Sequence, residues 1–379
     1  MSVTLPVVEL RKLVLRARRA IPNVSHVEIE AGLHHLGARV FDSGAEASFI
    51  ADAEGSAGNL KRALVSFAGL LAALPGAGEL DGEMAVVSEG LPGRLDVVSG
   101  WKKASIGIVT VGSTEWPNRQ GGPLPAPREH HPADVMFDGR VMSGRLWRVL
   151  PFIAPDDNRY GLNGAHIEAV LGGSRLLATD GNRLTWQALP GLELPMPKDT
   201  LLPRWFVSTL AHELAGAGRV SFWTGDGHAQ IATGDAVLTA RLLNATFPDY
   251  RQVMPRTEEF AGEFVVDRGA FARGLREAMP LTESYQHTVG VIVEDGVLTV
   301  KGHCDRGRAE VEVLRCSSPA AKPFRFWMFA HHILEALETL PEGPVRWRPN
   351  ISPTGPHVLV STMDGPTSGE IVIMPCREP

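Results

Sequence analysis

Few of the residue types that can take part in catalysis occur in this sequence with the spacing of a known catalytic motif. The sequence has no GxSxG nucleophile elbow, no phosphate-binding P-loop, no GxGxxG after a strand and no HExxH zinc motif. Asp180 in "TDG" could act as a catalytic carboxylate, but an Asp before Gly more often accepts backbone hydrogen bonds in a turn. These features do not favour an enzyme, and an unrecognised catalytic site is kept only as a third alternative.

The histidines and cysteines do not predict a metal site or a disulfide framework. Adjacent histidines diverge on a strand or a helix, so they do not readily face one metal ion. The cysteines are odd in number and lack paired spacing, which favours a reducing compartment. No metal and no other cofactor is predicted. The residues are the pairs His34–His35, His130–His131 and His331–His332, and the cysteines Cys304, Cys316 and Cys376.

The composition is that of a globular protein of two or three domains. The 379 residues are 44% apolar and 21% charged, with a formal net charge of -6 that gives no overall preference for nucleic acid. The N-terminus lacks the apolar core of a signal peptide, and no segment is long enough to cross a bilayer. We therefore expect a cytoplasmic protein without a membrane partner.

Three segments predict amphipathic helices that carry arginine on one face. In "ELRKLVLRARRAI", Leu10, Leu13, Val14, Ala17 and Ile21 follow a helical period and leave the basic residues on the opposite face. The segments "VMSGRLWRVLPFI" and "DRGAFARGLREAM" repeat this pattern. Each face could simply be solvated. If three related domains turn these helices toward one centre, however, the arginines would suit a polyanion, bound without base-specific contacts.

The order of predicted elements also repeats three times. Each third of the chain has a helix, strands around a turn, a second helix and closing strands, which predicts an α+β domain with a sheet packed on two helices. The second helices are predicted in "NLKRALVSFAGLLAALPG", "RWFVSTLAHELAGAG" and "FWMFAHHILEALETLPEG". Two Pro- and Gly-containing segments, 117–134 and 255–263, separate the thirds. The predicted domains are residues 1–126, 127–256 and 257–379.

A β-hairpin is predicted in the middle third. Apolar and polar residues alternate through "GGSRLLATDGNRLTWQALPG" on both sides of Asp180-Gly181, a dipeptide typical of tight hairpin turns. Thr179, Asn182 and Arg183 crowd this turn, which raises the question of whether it borders a binding site.

Several motifs of the middle and C-terminal thirds resemble the bacterial β sliding clamp family, the processivity subunit of the replicative DNA polymerase. They are "DNRYGLNGAHIEA", "LLATDGNRLTW", "LLPRWFVSTL", "ARLLNATFPDYRQVMP" and the terminal "EIVIMPCR", in the order that the family has them. The first third resembles the family only loosely, so the chain would be a divergent member.

The resemblance implies a fold, an assembly and a set of partners. The fold would be three repeated DNA-clamp domains, with helices lining a central channel and sheets on the outside. Two chains would pair head to tail into a ring around double-stranded DNA, without sequence specificity and without a catalytic site. Partners would be the DNA polymerase III catalytic subunit, the clamp loader and other proteins with a clamp-binding peptide.

The resemblance also implies the family's peptide-binding groove, which lies between the second and third domains. Its residues are assigned to positions of this sequence by matching the motifs one at a time. Apolar side chains would form its trough, while Arg and Thr would orient the peptide backbone. The groove residues implied are Leu162, Thr179, Gly181, Asn182, Arg183, Leu184, Pro248, Arg251, Val253, Val372, Ile373, Met374, Pro375, Cys376 and Arg377. The DNA-facing residues would be Arg11, Lys12, Arg16, Arg19, Arg145, Arg148, Arg159, Arg204, Arg273 and Arg276.

Three positions depart from the family pattern. Asn182 stands where a histidine is usual, Gln252 where a second arginine is often found, and Cys376 where the family has methionine in its terminal "MPMR", here followed by Glu378 and Pro379. The main expectation is a replicative sliding clamp. The alternative is a clamp-fold paralogue that binds peptides in repair or another specialised role and is not loaded in bulk replication.

Overall fold

The structure is a computed structural model that divides into two compact units. One unit comprises Met1–Ser143 and Trp205–Leu243, and the other comprises Gly144–Arg204 and Asn244–Pro379. The residues described are 2–21, 24–31, 35–42, 45–55, 60–75, 83–89, 92, 94–99, 102–108, 135–282, 287–304, 307–313, 323–352, 354–361 and 369–377. The predicted linker 117–134 lies outside them.

The first third of the chain is mainly antiparallel strand with two helices. Its elements are β1 (Ser2–Pro6), α1 (Val7–Ala20), β2 (His26–Ala31), β3 (His35–Asp42), β4 (Ala45–Asp52), β5 (Glu54–Gly55), β6 (Leu60–Ser66), α2 (Phe67–Ala73), β7 (Met84–Glu89), β8 (Arg94–Ser99) and β9 (Lys102–Gly107).

The middle third has two helices and nine strands. They are β10 (Val135–Asp138), α3 (Gly139–Val149), β11 (Gly164–Val170), β12 (Gly173–Thr179), β13 (Arg183–Pro190), β14 (Thr200–Pro203), α4 (Arg204–Glu213), β15 (Arg219–Gly225), β16 (His228–Ala232), β17 (Ala236–Arg241) and β18 (Leu243–Asn244).

The last third completes the second unit. Its elements are β19 (Phe264–Asp267), α5 (Arg268–Ala278), β20 (Thr288–Glu294), β21 (Val297–Cys304), β22 (Gly307–Val313), β23 (Phe324–Phe329), α6 (Ala330–Glu338), β24 (Pro344–Arg348), β25 (His357–Ser361) and β26 (Gly369–Ile373).

Each unit contains two antiparallel sheets. In the first unit the strand orders are β5-β1-β7-β8-β9 and β10-β15-β16-β17-β4-β3-β2-β6. In the second unit one sheet has the order β14-β11-β12-β13-β26-β25-β24-β19, and the other has β22-β21-β20-β23. The C-terminal strand β26 thus lies in the middle of its sheet, next to the predicted hairpin β12–β13.

The helices with an arginine face form as predicted. In α1, Leu10, Leu13, Val14 and Ala17 are buried, because these residues share one face of the helix. Helix α5 begins at Arg268, and the Asp267 side chain accepts a hydrogen bond from Ala270 N at 2.8 Å, which caps the free N–H groups of the first turn. Helix α3 covers the predicted segment as far as Val149, and a 3₁₀ turn follows over Leu150–Phe152.

Two other helices are shorter than predicted. The segment "NLKRALVSFAGLLAALPG" opens as strand β6, and helix α2 starts only at Phe67. Ala63 and Val65 are buried with the two-residue period of a strand, and β6 pairs with β2. In "FWMFAHHILEALETLPEG", likewise, strand β23 continues to Phe329 before helix α6 begins. Tertiary pairing therefore overrides the local helix preference.

Within the described residues, a strand leads directly into a helix six times. The transitions are β1–α1, β6–α2, β10–α3, β14–α4, β19–α5 and β23–α6, two in each third. This order agrees with the internal repeat read from the sequence. The domain boundaries at residues 126 and 256 stay a prediction.

Candidate functional site

A cavity of about 330 Å³ lies within the second unit, beside the turn of the β12–β13 hairpin. Four chain segments form it: the single 3₁₀ turn Tyr160–Leu162, the hairpin turn, the segment 246–253 and the end of β26. Its lining residues are Arg159, Tyr160, Gly161, Leu162, Thr179, Gly181, Asn182, Arg183, Leu184, Thr246, Pro248, Asp249, Tyr250, Val253, Val372 and Met374.

Hydrogen bonds from its own side chains fix the hairpin turn. Asp180 Oδ1 accepts hydrogen bonds from Asn182 N at 2.9 Å and Arg183 N at 2.7 Å. Thr179 Oγ1 donates to Arg183 O at 2.7 Å and accepts from Gly181 N at 3.1 Å. Gly181 has φ +90°, a conformation that glycine adopts without the strain of a Cβ. Asp180 is therefore a turn acceptor, as the sequence indicated.

The arginine of the turn is buried and paired. Arg183 is only 6% exposed, and its guanidinium contacts Asp180 Oδ2 at 2.8 Å and Glu335 Oε2 at 2.8 Å. It also donates to Pro151 O at 3.2 Å and lies 5.2 Å from the ring centre of Phe152. Because both acids neutralise its charge, Arg183 stabilises this wall and does not present an unpaired positive charge to a ligand.

The back wall is apolar and belongs to the sheet. Leu184 of β13 pairs with Val372 of β26, and these side chains and Leu162 are buried. Met374 follows β26, and its backbone N donates to Asn182 O at 2.9 Å, which ties the end of β26 to the hairpin turn. This wall is preformed, as binding pockets usually are.

A half-buried acid positions another part of the lining. Glu168 of β11 accepts hydrogen bonds from Tyr250 Oη at 2.7 Å and from the Arg251 guanidinium. Burial alone would raise the pKa of Glu168, but the hydrogen bonds from Tyr250 and Arg251 outweigh it and hold this pKa below its usual range. Burial and the bond to Glu168 raise the pKa of Tyr250. Both partners belong to the "FPDYRQV" motif, so Glu168 fixes the position of this motif.

Arg159 lies at the rim of the cavity, although the sequence reading assigned it to the DNA-facing set. Its guanidinium contacts Asp157 Oδ2 at 2.8 Å and Oδ1 at 3.0 Å, and its side chain is 66% exposed. The hydrogen bond from Arg159 lowers the pKa of Asp157 to about 2. A Cβ on Gly181 would meet both terminal guanidinium nitrogens of Arg159 at 3.0 Å. Arg159 therefore places an exposed guanidinium, paired with Asp157, at the rim of the cavity.

The structure brings together ten of the fifteen predicted groove residues. They are Leu162, Thr179, Gly181, Asn182, Arg183, Leu184, Pro248, Val253, Val372 and Met374. The remaining five are close in sequence but have other contacts or positions. Arg251 binds Glu168, Ile373 is buried in the sheet, Cys376 N donates to Trp327 O at 2.8 Å, and Pro375 and Arg377 flank Cys376.

Sequence reasoning missed six lining residues for this cavity. Each is within three residues of a predicted groove position, so extending the motifs would have found them. They are Arg159, Tyr160, Gly161, Thr246, Asp249 and Tyr250.

In the first unit, three of the four predicted DNA-facing residues have protein partners. Arg11 donates to Pro75 O at 3.0 Å, and Lys12 contacts Glu9 at 2.7 Å. Arg16 contacts Glu213 at 2.9 Å and Asp235 at 2.7 Å. Arg19 is exposed. Lys12 is exposed as well, but it contacts Glu9.

In the second unit, the predicted DNA-facing residues again differ in their contacts with other protein groups and in their exposure. Arg204 donates to Leu150 O at 2.7 Å and to Ile153 O, so it satisfies carbonyls at the end of a 3₁₀ turn. Arg145 donates to Gln187 Oε1 at 3.1 Å, and Arg276 contacts Glu338 at 2.9 Å. Arg148 is half-buried, whereas Arg273 is exposed.

Within the described residues, no group of three or more His, Cys, Asp or Glu side chains is placed to hold a metal ion. The rings of His331 and His332 lie 4.3 Å apart at 67° to each other. Burial, followed by the charge of Arg183, lowers the pKa of His332 to about 4. In the described part of the chain, no helix is long and apolar enough to cross a membrane.

Sequence comparisons relate the chain to bacterial sliding clamps. A family model described as "DNA polymerase III beta subunit, central domain" matches residues 147–249. The beta sliding clamp of Caulobacter vibrioides is 28% identical over 238 residues, which are 59% of this chain and 60% of the relative. That of Escherichia coli K12 is 34% identical over 125 residues, 32% of this chain and 34% of the relative. The chain thus spans less than two thirds of the length of these relatives.

Structural comparisons extend the similarity of fold to the whole chain. A Pseudomonas aeruginosa DNA polymerase sliding clamp with ligand has a TM-score of 0.83 at 20% identity, covering 100% of both chains. The DNA polymerase III beta subunit of Thermotoga maritima has a TM-score of 0.83 at 18% identity, also covering 100% of both. A Pseudomonas clamp bound to griselimycin has a TM-score of 0.82, 20% identity and full coverage of both chains. The chain therefore has the α+β sliding clamp fold, which confirms the predicted fold class.

Proposed function

We propose that the chain is a divergent member of the bacterial DNA polymerase III β sliding clamp family and acts as a sliding clamp, which its matches to the family's central domain, to a curated relative and to the clamp fold support. Two copies would close head to tail around double-stranded DNA, with helices toward the DNA and sheets outside. The ring would tether the DNA polymerase III catalytic subunit by enclosure, without a catalytic site of its own. This role would place the protein in the cytoplasm, with the DNA that it encloses.

The observation that carries the proposal is the cavity beside the β12–β13 turn. Its lining comes from the segments around "YGLNG", "TDGNRL" and "FPDYRQV" and from the end of β26, which are far apart in sequence. These are the segments from which the family resemblance predicts a peptide-binding groove. An apolar trough with an arginine at its rim suits a short peptide with apolar anchor side chains and an acidic flank.

The proposed contact with DNA depends on exposed arginines that can exchange one phosphate group for another. Arg19 of α1 and Arg273 of α5 are exposed. Contacts of this kind with phosphate are independent of base sequence and weaken with salt, which is what a ring needs in order to slide. Arg16 and Arg276 would have to leave their acidic partners to take part.

One sample tests both parts of the proposal. Light scattering after size-exclusion chromatography should give a dimer at micromolar concentration. Fluorescence polarisation on the same fractions should show saturable binding of the clamp-binding peptide of the DNA polymerase III catalytic subunit. A Leu184→Asp variant, with a charge in the apolar wall, should lose the peptide. A monomer would contradict the ring, and absent peptide binding would contradict the groove.

A further inference from the structure

A cavity of about 560 Å³ lies within the first unit, at the C-terminal ends of helices α1 and α4. We call it the polar cavity, because charged side chains and glycines form most of its lining. Three segments supply that lining: Arg16 and Arg19 of α1, residues between 212 and 219 that lead from α4 to β15, and the turn 233–235 between β16 and β17. None of the family motifs covers these segments.

Arg16 forms the fixed part of the polar cavity. Its guanidinium contacts Glu213 Oε2 at 2.9 Å and Asp235 Oδ2 at 2.7 Å, and it lies 4.9 Å from the ring centre of Phe49. The Glu213 side chain is only 5% exposed, and a carboxylate so buried needs a cation beside it. Arg16 therefore pairs with both acids of the lining and does not present its charge to a ligand.

Further hydrogen bonds hold the three segments together. Thr209 Oγ1 of α4 donates to Ala20 O at the end of α1, at 2.7 Å. Ile50 N donates to Asp235 O at 2.8 Å, where strand β4 pairs with β17. The walls of the polar cavity are therefore connected to one another before any ligand enters.

Two other arginines of the lining are exposed and available. They are Arg19 and Arg219, and within the described part of the chain neither guanidinium has a hydrogen bond or an ion pair. Arg219 lies opposite Asp138 in the pairing of β15 with β10, but the Asp138 carboxylate contacts Arg140 at 3.1 Å. Two positive charges in one preformed cavity thus remain for a ligand.

The glycines of the lining leave space beside these arginines. A Cβ built on Gly216, Gly218 or Gly234 would meet none of the described atoms within 4 Å. An oxyanion can therefore enter the polar cavity without displacing a side chain at these positions.

We propose that the polar cavity binds a phosphate group between Arg19 and Arg219. A guanidinium presents paired N–H donors that match the oxygens of a phosphate. The phosphate would belong either to the backbone of DNA or to a free phosphate-bearing molecule, since both offer the same oxygens. The first source rests on the proposed sliding clamp and adds a contact that the arginine faces of the helices do not include. The second source is independent of that proposal.

Equilibrium binding of DNA tests the first source. Fluorescence polarisation measures the affinity of the full-length protein for a short duplex over a range of salt concentrations, without a clamp loader. Arg219→Gln should weaken binding about three- to tenfold and reduce the salt slope by about one, because each phosphate contact contributes a slope of about -0.9. Arg325→Gln changes an exposed arginine of β23 in the second unit and should leave both quantities unchanged.

Pyrophosphate tests the second source in the absence of DNA. Phosphorus NMR line widths, followed during titration with the protein, should show saturable binding to the original protein and to Arg325→Gln. Arg219→Gln should bind pyrophosphate about tenfold more weakly, because it loses a charged hydrogen-bond donor. Circular dichroism should show that each variant is folded.

A third variant tests whether both arginines hold one group. If they do, Arg19→Gln combined with Arg219→Gln should weaken binding by less than the product of the two single losses, because contacts to one ligand are coupled. Losses that simply multiply would mean two separate contacts and would overturn the shared site.

The outcomes separate this inference from the proposed clamp. A loss in Arg219→Gln for DNA alone assigns the phosphate to the DNA backbone, whereas a loss for pyrophosphate assigns it to a free phosphate-bearing molecule. If Arg219→Gln weakens neither, the inference is overturned and the ring and the groove are unaffected. A monomer that still binds pyrophosphate through Arg219 would support the inference and contradict the ring.

Discussion

Glu168 shows how one half-buried residue can act on a binding site that it does not line. Its carboxylate holds both Tyr250 and Arg251, and Tyr250 lines the cavity. Arg251 was expected to orient the peptide, but this bond turns its charge toward Glu168. With Gln252 in place of the second arginine, Arg159 is the exposed cation in the described lining.

A conservative change at Glu168 tests this positioning. Glu168→Gln keeps the shape but removes the charge, so Tyr250 and Arg251 lose a charge-assisted acceptor worth about 1.5–3 kcal/mol. Peptide affinity, measured by titration calorimetry, should fall about three- to tenfold although residue 168 does not line the cavity. Glu294→Gln, on the exposed β20–β21 turn, is the matched control. Unchanged affinity would show that the wall keeps its position without Glu168.

His357 illustrates a buried titratable group that serves packing. It is 1% exposed, its Nδ1 accepts a hydrogen bond from Trp347 Nε1 at 3.1 Å, and its ring lies 4.3 Å from that of Phe326. Burial lowers the pKa of His357 to about 3. The folded protein therefore keeps this ring neutral at pH values where an unfolded chain would protonate it.

This pKa predicts a loss of stability in acid. Because the folded pKa lies below the unfolded value, the unfolded state binds more protons between about pH 3 and pH 6.5, and stability falls as pH falls through that window. From pH 7 to pH 5 the loss should approach about 2 kcal/mol. His357→Gln should remove much of this dependence in urea unfolding. His35→Gln, at an exposed position, should leave it in place, and an unchanged pH profile in H357Q would refute the assignment.

At the scale of elements, strand β26 connects the C-terminus to the hairpin. It pairs with β13 on one side and β25 on the other. Met374 follows the strand, and its backbone N donates a hydrogen bond to Asn182 O. The hairpin turn therefore depends on residues about 190 positions away in sequence. The cavity exists because the sheet order places β26 beside β13.

Shortening the C-terminus tests this dependence. Removal of Met374 to Pro379 should abolish peptide binding, because it deletes a lining side chain and the hydrogen bond to the turn, while β26 itself remains. Removal of Glu378 and Pro379 alone is the control and should preserve binding. Circular dichroism should show that both proteins stay folded. Full affinity in the longer truncation would remove β26 and Met374 from the site.

At the scale of the whole molecule, the proposed ring depends on charge placed on helices in an acidic protein. The net charge is -6, yet α1 and α5 carry exposed cations. Local charge of this kind can attract DNA in spite of the overall sign. The same pattern recurs on helices from different thirds of the chain, as an internal repeat would produce.

Charge reversal tests the proposed DNA-facing helices. Arg19→Glu combined with Arg273→Glu should reduce retention on circular DNA after loading by a clamp loader, because each change replaces attraction to phosphate by repulsion. These two residues are preferable to Arg16, whose reversal would also break two ion pairs. Arg325→Glu, on the exposed side of β23, should leave retention unchanged. Equal retention of all variants would favour the paralogue that is not loaded in bulk replication.

Local sequence determined much of this protein. Apolar period and capping residues predicted α1, α3 and α5, because these signals act within a few residues. Asp180-Gly181 predicted its turn for the same reason. The family motifs placed Leu162, Thr179, Leu184 and Val372 in one site before any contact was known.

Only the tertiary structure decided how the remaining residues are used. Strand β6 displaced half of a predicted helix because its pairing with β2 is non-local. Arg251 binds Glu168, and Arg159 lies at the rim of the cavity, rather than in the positions that the sequence predicted. Each charged side chain binds an oppositely charged partner that only the folded chain brings close to it. Local order can be read along the chain, whereas pairing and burial depend on contacts that the chain makes only when folded.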